Sequence, residues 1–430
     1  MMSQSATAPP SVGVSLSGED WITMPANVLR QPIGLDSHAP CVDAGKGEPM
    51  RMVMRFTAAA ARWVASGVLL SFVSPGCAPK DAPVAGQEIL FFPSPASVSA
   101  DGRQSWSLTI QGRIFEPAAG SIGRTQLIEA IAKAADLDDD EAKSTLFHER
   151  AAYFLSDSEK NQRVSVSIGD HPFTLPASDK AGYFTAQFPL AKDEASKLAK
   201  DGVISFESLP TASNPRRFPA KVMLVPEEGV SVVTDMDDTI KETHVLDRKE
   251  MLKNTFVRPF VAVTGMPALY RSWKEALGSR IQFHVVSAGP WQFNEPLRRF
   301  TEEVGFPAFT WHMRSVDINA ANLGELNPDP YPFKVQTIEA LMRRFPKRHF
   351  VCVGDSGEKD PEVYSKILSE FPARVDAVFI RDVTGQRQDA DRYKTLFPGE
   401  AAAKLRVFRD PKDLPPLASP IGARDSSDYV

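Results

Sequence analysis

The feature that most constrains this chain is a strand–helix alternation that begins at Ser231. Ser231-Val232-Val233-Thr234 reads as a buried strand. After it the pattern predicts helix 267–277, strand 281–286, helix 295–304, strand 309–313, helix 334–345, strand 349–353, helix 361–370 and strand 375–380. Strands joined through helices pair in parallel, because a parallel neighbour is reached only by a crossover. The expected fold class is α/β, a doubly wound parallel sheet over 227–412, preceded by a smaller mainly-β domain.

That preceding domain, 88–226, is rich in short runs of β-formers bounded by turn residues, at 89–92, 105–110, 164–168, 182–188 and 220–225. A helical spacing of apolar positions interrupts it at 124–135. A small β-sandwich fits this pattern. The segment carries no catalytic motif and reads as a packing, docking or substrate-presenting module.

In open α/β sheets ligands bind beyond the carboxyl ends of the strands. The first strand runs into Asp235-Met236-Asp237-Asp238-Thr239, and the second into Ser287-Ala288-Gly289-Pro290-Trp291. Lys334 opens the helix before the fourth strand, which ends in Gly354-Asp355-Ser356-Gly357-Glu358-Lys359-Asp360. Carboxylates, a hydroxyl and an ammonium therefore converge on one sheet edge. Gathered carboxylates repel unless a cation neutralises them, and Mg²⁺ suits one or two carboxylates, waters and a phosphate oxygen.

Asp235-Met236-Asp237-Asp238-Thr239 matches the D-x-D-x-T signature of haloacid-dehalogenase-type phosphatases, and Ser287, Lys334, Asp355 and Asp360 follow in that superfamily's order. Segments 234–243, 333–364 and 377–383 more narrowly resemble the actin-patch-associated phosphatidate phosphatase family, a likeness covering 225–385. Two departures stand out: Ser287-Ala288-Gly289-Pro290-Trp291 replaces the family's Ser-Asn-Ser-Pro-Trp, and Phe333 replaces its His before the lysine.

The resemblance implies a Mg²⁺-dependent phosphatase with Asp235 as nucleophile and Asp237 as general acid and base. Ser287 and Lys334 would hold the phosphoryl oxygens. Asp235, the Asp237 main-chain carbonyl, Asp355 and Asp360 would serve the metal. Thr239 is expected to brace the loop through hydroxyl-to-backbone bonds, and Asp238 to act either behind the site or as a solvated charge. Glu358 and Lys359 are expected to be exposed or mutually paired, and His244 and His284 to pack. Trp291 reads as either an entrance or a core aromatic. The short insert 242–265 leaves little for a large cap. The expected partner is a phosphorylated lipid such as phosphatidate, or a small phosphomonoester.

The amino end adds an address. Residues 1–49 read as a polar extension, and Met50-Arg51-Met52-Val53-Met54-Arg55 opens a basic segment. A short apolar stretch, 63–73, and Ser74-Pro75-Gly76-Cys77 complete a signal-peptide pattern over 50–77. Its end at Cys77 suggests a lipoprotein anchor to a membrane surface in a bacterial cell envelope, with secretion as the alternative. Residues 78–87 then read as a tether and 413–430 as a tail. A net charge of −5 leaves no basic footprint for nucleic acid.

Overall fold

The computed structural model of the chain describes residues 13–15, 21–23, 79–99, 104–117, 122–154, 156–316 and 329–417. The chain divides into two compact units, Met1–Pro75 and Gly76–Val430. In the first, strands Gly13–Ser15 and Trp21–Thr23 pair antiparallel. The apolar stretch before Cys77, and Cys77 itself, lie outside the described residues. No helix among the described residues is long and apolar enough to cross a membrane.

The second unit contains a six-stranded parallel sheet. Gly229–Thr234 lies inside it, flanked on one side by Ile281–Pro290 and then Phe309–Arg314. On the other side lie Arg348–Asp355, Val375–Arg381 and Leu405–Phe408. Every residue of Gly229–Thr234 is buried, as expected of a strand covered on both faces.

Alternate side chains divide between two cores. Val230, Val232, Phe283, Val285 and Val351 face one layer with Tyr270 and Trp273 of helix Met266–Leu277 and Phe300 of helix Asn294–Glu303. Val233, Val286, Phe350 and Cys352 face the other with Ile338 of helix Tyr331–Arg344 and Ile367 of helix Asp360–Glu370. Helix Met266–Leu277 shows how the sequence encodes this. Met266, Tyr270, Trp273 and Leu277 recur at helical spacing and are buried, and Gly278, at φ 57°, ends the helix.

The β-rich region forms one connected strand array in which residues 105–113 of strand Ser105–Glu116 pair antiparallel with Tyr183–Ala191. Leu108, Ile110, Val164, Val166, Phe184 and Phe206 meet in a single core. Of residues 78–87, expected to be a tether, Lys80–Ala82 is a strand of this array. Lys80–Ala82 pairs in parallel with Gln162–Ile168, and Ala82 and Gln87 are both 2% exposed. The expected tail is also partly packed, with Leu414 buried and Pro415 O accepting from Trp273 Nε1. The insert 242–265 contains helix Arg248–Phe256, and the β-rich region contributes helices Ile122–Ala135 and Thr145–Ala152 against it.

The boundary near residue 226 lies inside this unit and is pinned from the sheet. Arg348, fully buried, donates to Pro226 O, Glu228 O and Arg280 O and to Ser231 Oγ. Satisfying its donors in this way offsets the cost of burying a guanidinium.

Candidate active site

The strand registers carry the expected polar residues to one end of the sheet. Thr234 is paired with both Val285 and Val353, so Asp235, Ser287 and Asp355 each lie one or two residues beyond a shared level. The Asp235 N–H donates to Val353 O at 2.9 Å, which keeps the first residue after the strand tied to the neighbouring strand.

Asp235, Asp355 and Asp360 each offer a carboxylate oxygen within 4.8 Å of the others, and all three are buried. Lys334 Nζ stands 2.8 Å from Asp235 Oδ1 and 2.6 Å from Asp360 Oδ1. Asp235 Oδ2 and Asp355 Oδ2 are buried with no hydrogen-bond partner. Two orphaned carboxylate oxygens in a buried acidic cluster form a donor set suited to a hard cation. The remaining contacts keep the cluster in place: Asp355 N donates to Asp360 Oδ2 at 3.2 Å, and Gly357 N to Asp355 Oδ1 at 2.6 Å.

The electrostatics follow from that geometry. Burial pushes Asp235 well above the usual carboxylate range; Lys334 opposes this, while Asp360, Glu358 and Asp355 add to it. Asp355 is also raised by burial and by Asp360. Burial alone would lower the Lys334 ammonium, but Asp235, Asp360 and Glu358 hold it well above its ordinary value. One ammonium therefore faces more negative charge than it can balance.

Asp237 stands outside the three-carboxylate cluster. Its Oδ1 accepts from Thr243 Oγ1 at 2.7 Å and lies 3.1 Å from Lys241 Nζ. Burial would raise its carboxyl, but Lys241 and Thr243 outweigh that and hold it below the usual range. Asp238 is a buried loop brace rather than a solvated charge. At φ 54°, its carboxylate accepts from the N–H groups of Thr243, His244 and Val245 at 2.8, 2.9 and 2.7 Å.

Several expectations change here. The Thr239 hydroxyl is buried with no hydrogen-bond partner, so the expected bracing falls to Asp238. Glu358 is neither exposed nor paired with Lys359: its side chain is 18% exposed and points to Lys334 Nζ at 3.6 Å. Lys334 sits inside the first turn of its helix, which starts at Tyr331. Ser287 is buried, and its Oγ accepts from Gly289 N at 3.1 Å, an arrangement that orients the loop around the hydroxyl. Trp291 is a core aromatic, stacked on Phe92 at 3.8 Å. His284 packs as expected, between Ser231 Oγ and Thr310 Oγ1. Lys241 and Thr243 received no role from the sequence, yet they set the surroundings of Asp237; their place in the family-like segment 234–243 was the available signal.

A cavity of about 1110 Å³ opens elsewhere, between the β-rich region and the parallel-sheet region, with Glu88, Arg150, Phe260 and Arg298 among its walls. None of the clustered carboxylates lines it.

Residues 230–382 match the family described as "Phosphatidate phosphatase APP1, catalytic domain". The chain is 30% identical over 175 residues to phosphatidate phosphatase APP1 of Saccharomyces cerevisiae, covering 40% of this chain and 29% of the relative. It is 23% identical over 211 residues to uncharacterized protein C29B5.04c of Schizosaccharomyces pombe, covering 48% of this chain and 34% of that protein. The chain thus spans about a third of the length of these relatives. Both are yeast proteins, which overturns the bacterial-envelope location expected from the segment ending at Cys77. The segment 230–382, which carries every polar residue gathered at the strand ends, is thus similar to the catalytic domain of the phosphatidate phosphatase APP1 family.

Proposed function

We propose that this protein is a Mg²⁺-dependent phosphatase that hydrolyses a phosphomonoester through an aspartyl-phosphate on Asp235, with phosphatidate as the substrate. The observation that carries the chemistry is the orphaned Oδ2 of Asp235 beside that of Asp355, with Lys334 engaging Asp235 from the other oxygen. The substrate reading rests on the family match and on the name of the relative. The sheet is read as the doubly wound core of the haloacid-dehalogenase type, on its strand order and on the polar residues at its strand ends.

Asp235, Asp355 and Asp360 would hold the ion, with the Asp237 main-chain carbonyl. Bound there, Mg²⁺ supplies positive charge against the negative charge that builds on the phosphoryl oxygens. The Asp235 carboxylate attacks phosphorus, the ester P–O bond breaks, and Asp237 gives its proton to the departing oxygen. In the second displacement water attacks phosphorus, Asp237 takes its proton, and phosphate leaves with Asp235 restored. Lys241 and Thr243 favour the ionised form of Asp237, which suits the second displacement. A phosphate dianion beside Asp237 raises its pKa by like-charge repulsion, which suits the first. Lys334 and Ser287 hold the phosphoryl oxygens between the two steps.

The test is phosphate release by the whole chain from phosphatidate micelles and from p-nitrophenyl phosphate, with Mg²⁺ or chelator, beside Asp235→Asn. Release from both esters that needs Mg²⁺ and disappears in Asp235→Asn is expected. Activity that survives the substitution removes Asp235 as nucleophile, and release from the soluble ester alone removes the lipid.

A further inference from the structure

We propose that the β-rich region is a positioning element of the catalytic centre, holding the Asp237 and Ser287 loops through Arg150 and Phe92. This rests on the roles given above to those two loops.

Arg150, in helix Thr145–Ala152, is 5% exposed. Its Nη1 donates to Thr255 O at 2.8 Å and to Arg258 O at 2.7 Å, and its guanidinium lies 3.6 Å from the centre of the Phe260 ring. It therefore fixes the end of helix Arg248–Phe256 and the chain that follows. That chain runs beside the catalytic loop. Glu242 N donates to Val261 O, Val263 N donates to Ile240 O, and Lys241 bridges to Ala262. The Lys241 ammonium, which holds Asp237, lies 5.2 Å from the same Phe260 ring. Phe260 is thus shared between a guanidinium from the β-rich region and the ammonium that orients the acid–base residue.

The second loop is held residue by residue. After Ser287, the turn Trp291–Phe293 meets three side chains of the β-rich region. Phe92 stacks on Trp291 with the planes at 12°, Tyr183 Oη donates to Gln292 Oε1 at 3.4 Å, and Phe154 packs edge-on to Phe293 at 4.8 Å. Such supporting contacts hold reacting groups to within fractions of an ångström. A module that only docked a partner would not need to bury a guanidinium against the catalytic loop's own support.

The experiment uses the whole chain with Mg²⁺ and three variants: Arg150→Met, Arg150→Lys and Phe92→Leu. Loosening Asp237 slows departure of a poor leaving group, which needs a proton, more than that of p-nitrophenolate, which does not. Arg150→Met is therefore expected to lower kcat/KM, which reports the first displacement, about tenfold more for an alkyl phosphate than for p-nitrophenyl phosphate, within the range of general-acid help. Arg150→Lys should restore part of that difference. Phe92→Leu should raise KM, and the inhibition constant for inorganic phosphate, about fivefold with little change in kcat. Equal loss of kcat/KM on both esters in the Arg150 variants, or no change in either loop's readout, overturns the proposal.

Hydrogen exchange provides a readout that does not need turnover. Faster exchange confined to residues 237–245 in Arg150→Met and to 287–293 in Phe92→Leu supports positioning; unchanged or uniformly faster exchange overturns it. If the parent protein hydrolyses neither ester, the proposed reaction fails, and exchange alone decides the positioning.

Discussion

Gly354 packs its bare Cα against the side chain of Asp360: a methyl built on it would lie 2.7 Å from both Cβ and Cγ of the aspartate. Gly354→Ala should therefore push Asp360 out of the cluster. Overpacking of this kind costs about 1–3 kcal/mol of stability. Phosphate release should fall about 100-fold or more, and calorimetric titration should show weakened Mg²⁺ binding. A variant that binds and turns over like the parent would show that Asp360 has room to move.

Lys334 is the ammonium at the centre of the cluster, and Lys334→Met leaves Asp235, Asp360 and Glu358 facing one another uncompensated. Removing one partner of a buried ionic group costs about 3–5 kcal/mol. The pH dependence has a definite sign. Burial and mutual repulsion already raise Asp235 and Asp355, and losing the ammonium raises them further. A folded carboxyl raised above its unfolded value loses stability as pH rises from that unfolded value towards the folded one. Metal-free Lys334→Met should therefore gain stability relative to the parent as pH drops from 7 towards 5, measured by urea unfolding at each pH.

Mg²⁺ should raise the melting temperature, because an ion bound only by the folded state stabilises by mass action, about 2.7 kcal/mol at 100 times its dissociation constant. Asp355→Asn removes one of the two orphaned oxygen sets and should abolish most of that shift. A thermal scan with and without Mg²⁺ measures both. An undiminished shift in the variant would locate the stabilising ion elsewhere.

His284 gives a second pH signature, independent of catalysis. Burial, with smaller contributions from His312 and Arg348, holds it well below its ordinary value of 6.5. A histidine kept neutral on folding contributes stability that is intact above pH 6.5 and is lost as pH falls below it. The slope is at most about 1.4 kcal/mol per pH unit for one proton. Denaturant melts of the parent and His284→Asn between pH 7 and 5 should show a shallower decline in the variant, on top of whatever constant cost the lost hydrogen bonds bring.

The strands over 229–381 and the helices joining them, apart from Arg248–Phe256 inside the insert, were legible because buried runs and helical spacings are local properties, and the candidate site followed from the strand ends. Leu405–Phe408 escaped as a strand because four residues carry too little periodicity to stand out from their surroundings. Glu358 was misread for a different reason. Its neighbour Lys359 offered a nearby opposite charge in the chain, but the turn into helix Asp360–Glu370 sends the two side chains apart and aims Glu358 at Lys334, 24 residues earlier in sequence. Thr239 resembled a loop brace by residue type, yet Asp238 at positive φ reached the three free N–H groups first. Arg150 had no local sign at all, since its role depends on carbonyls more than a hundred positions away.

The hydrogen bond from Trp311 N to Pro93 O, 3.0 Å long, joins the outermost strand of the parallel sheet, Phe309–Arg314, to the β-rich region. Strand edges left bare template pairing with other chains. A fragment trimmed to the parallel-sheet region alone would expose that edge together with the Trp291 face that Phe92 now covers. Such a fragment should precipitate or self-associate during purification, so dissecting this protein at residue 226 would create the very surface that makes chains aggregate.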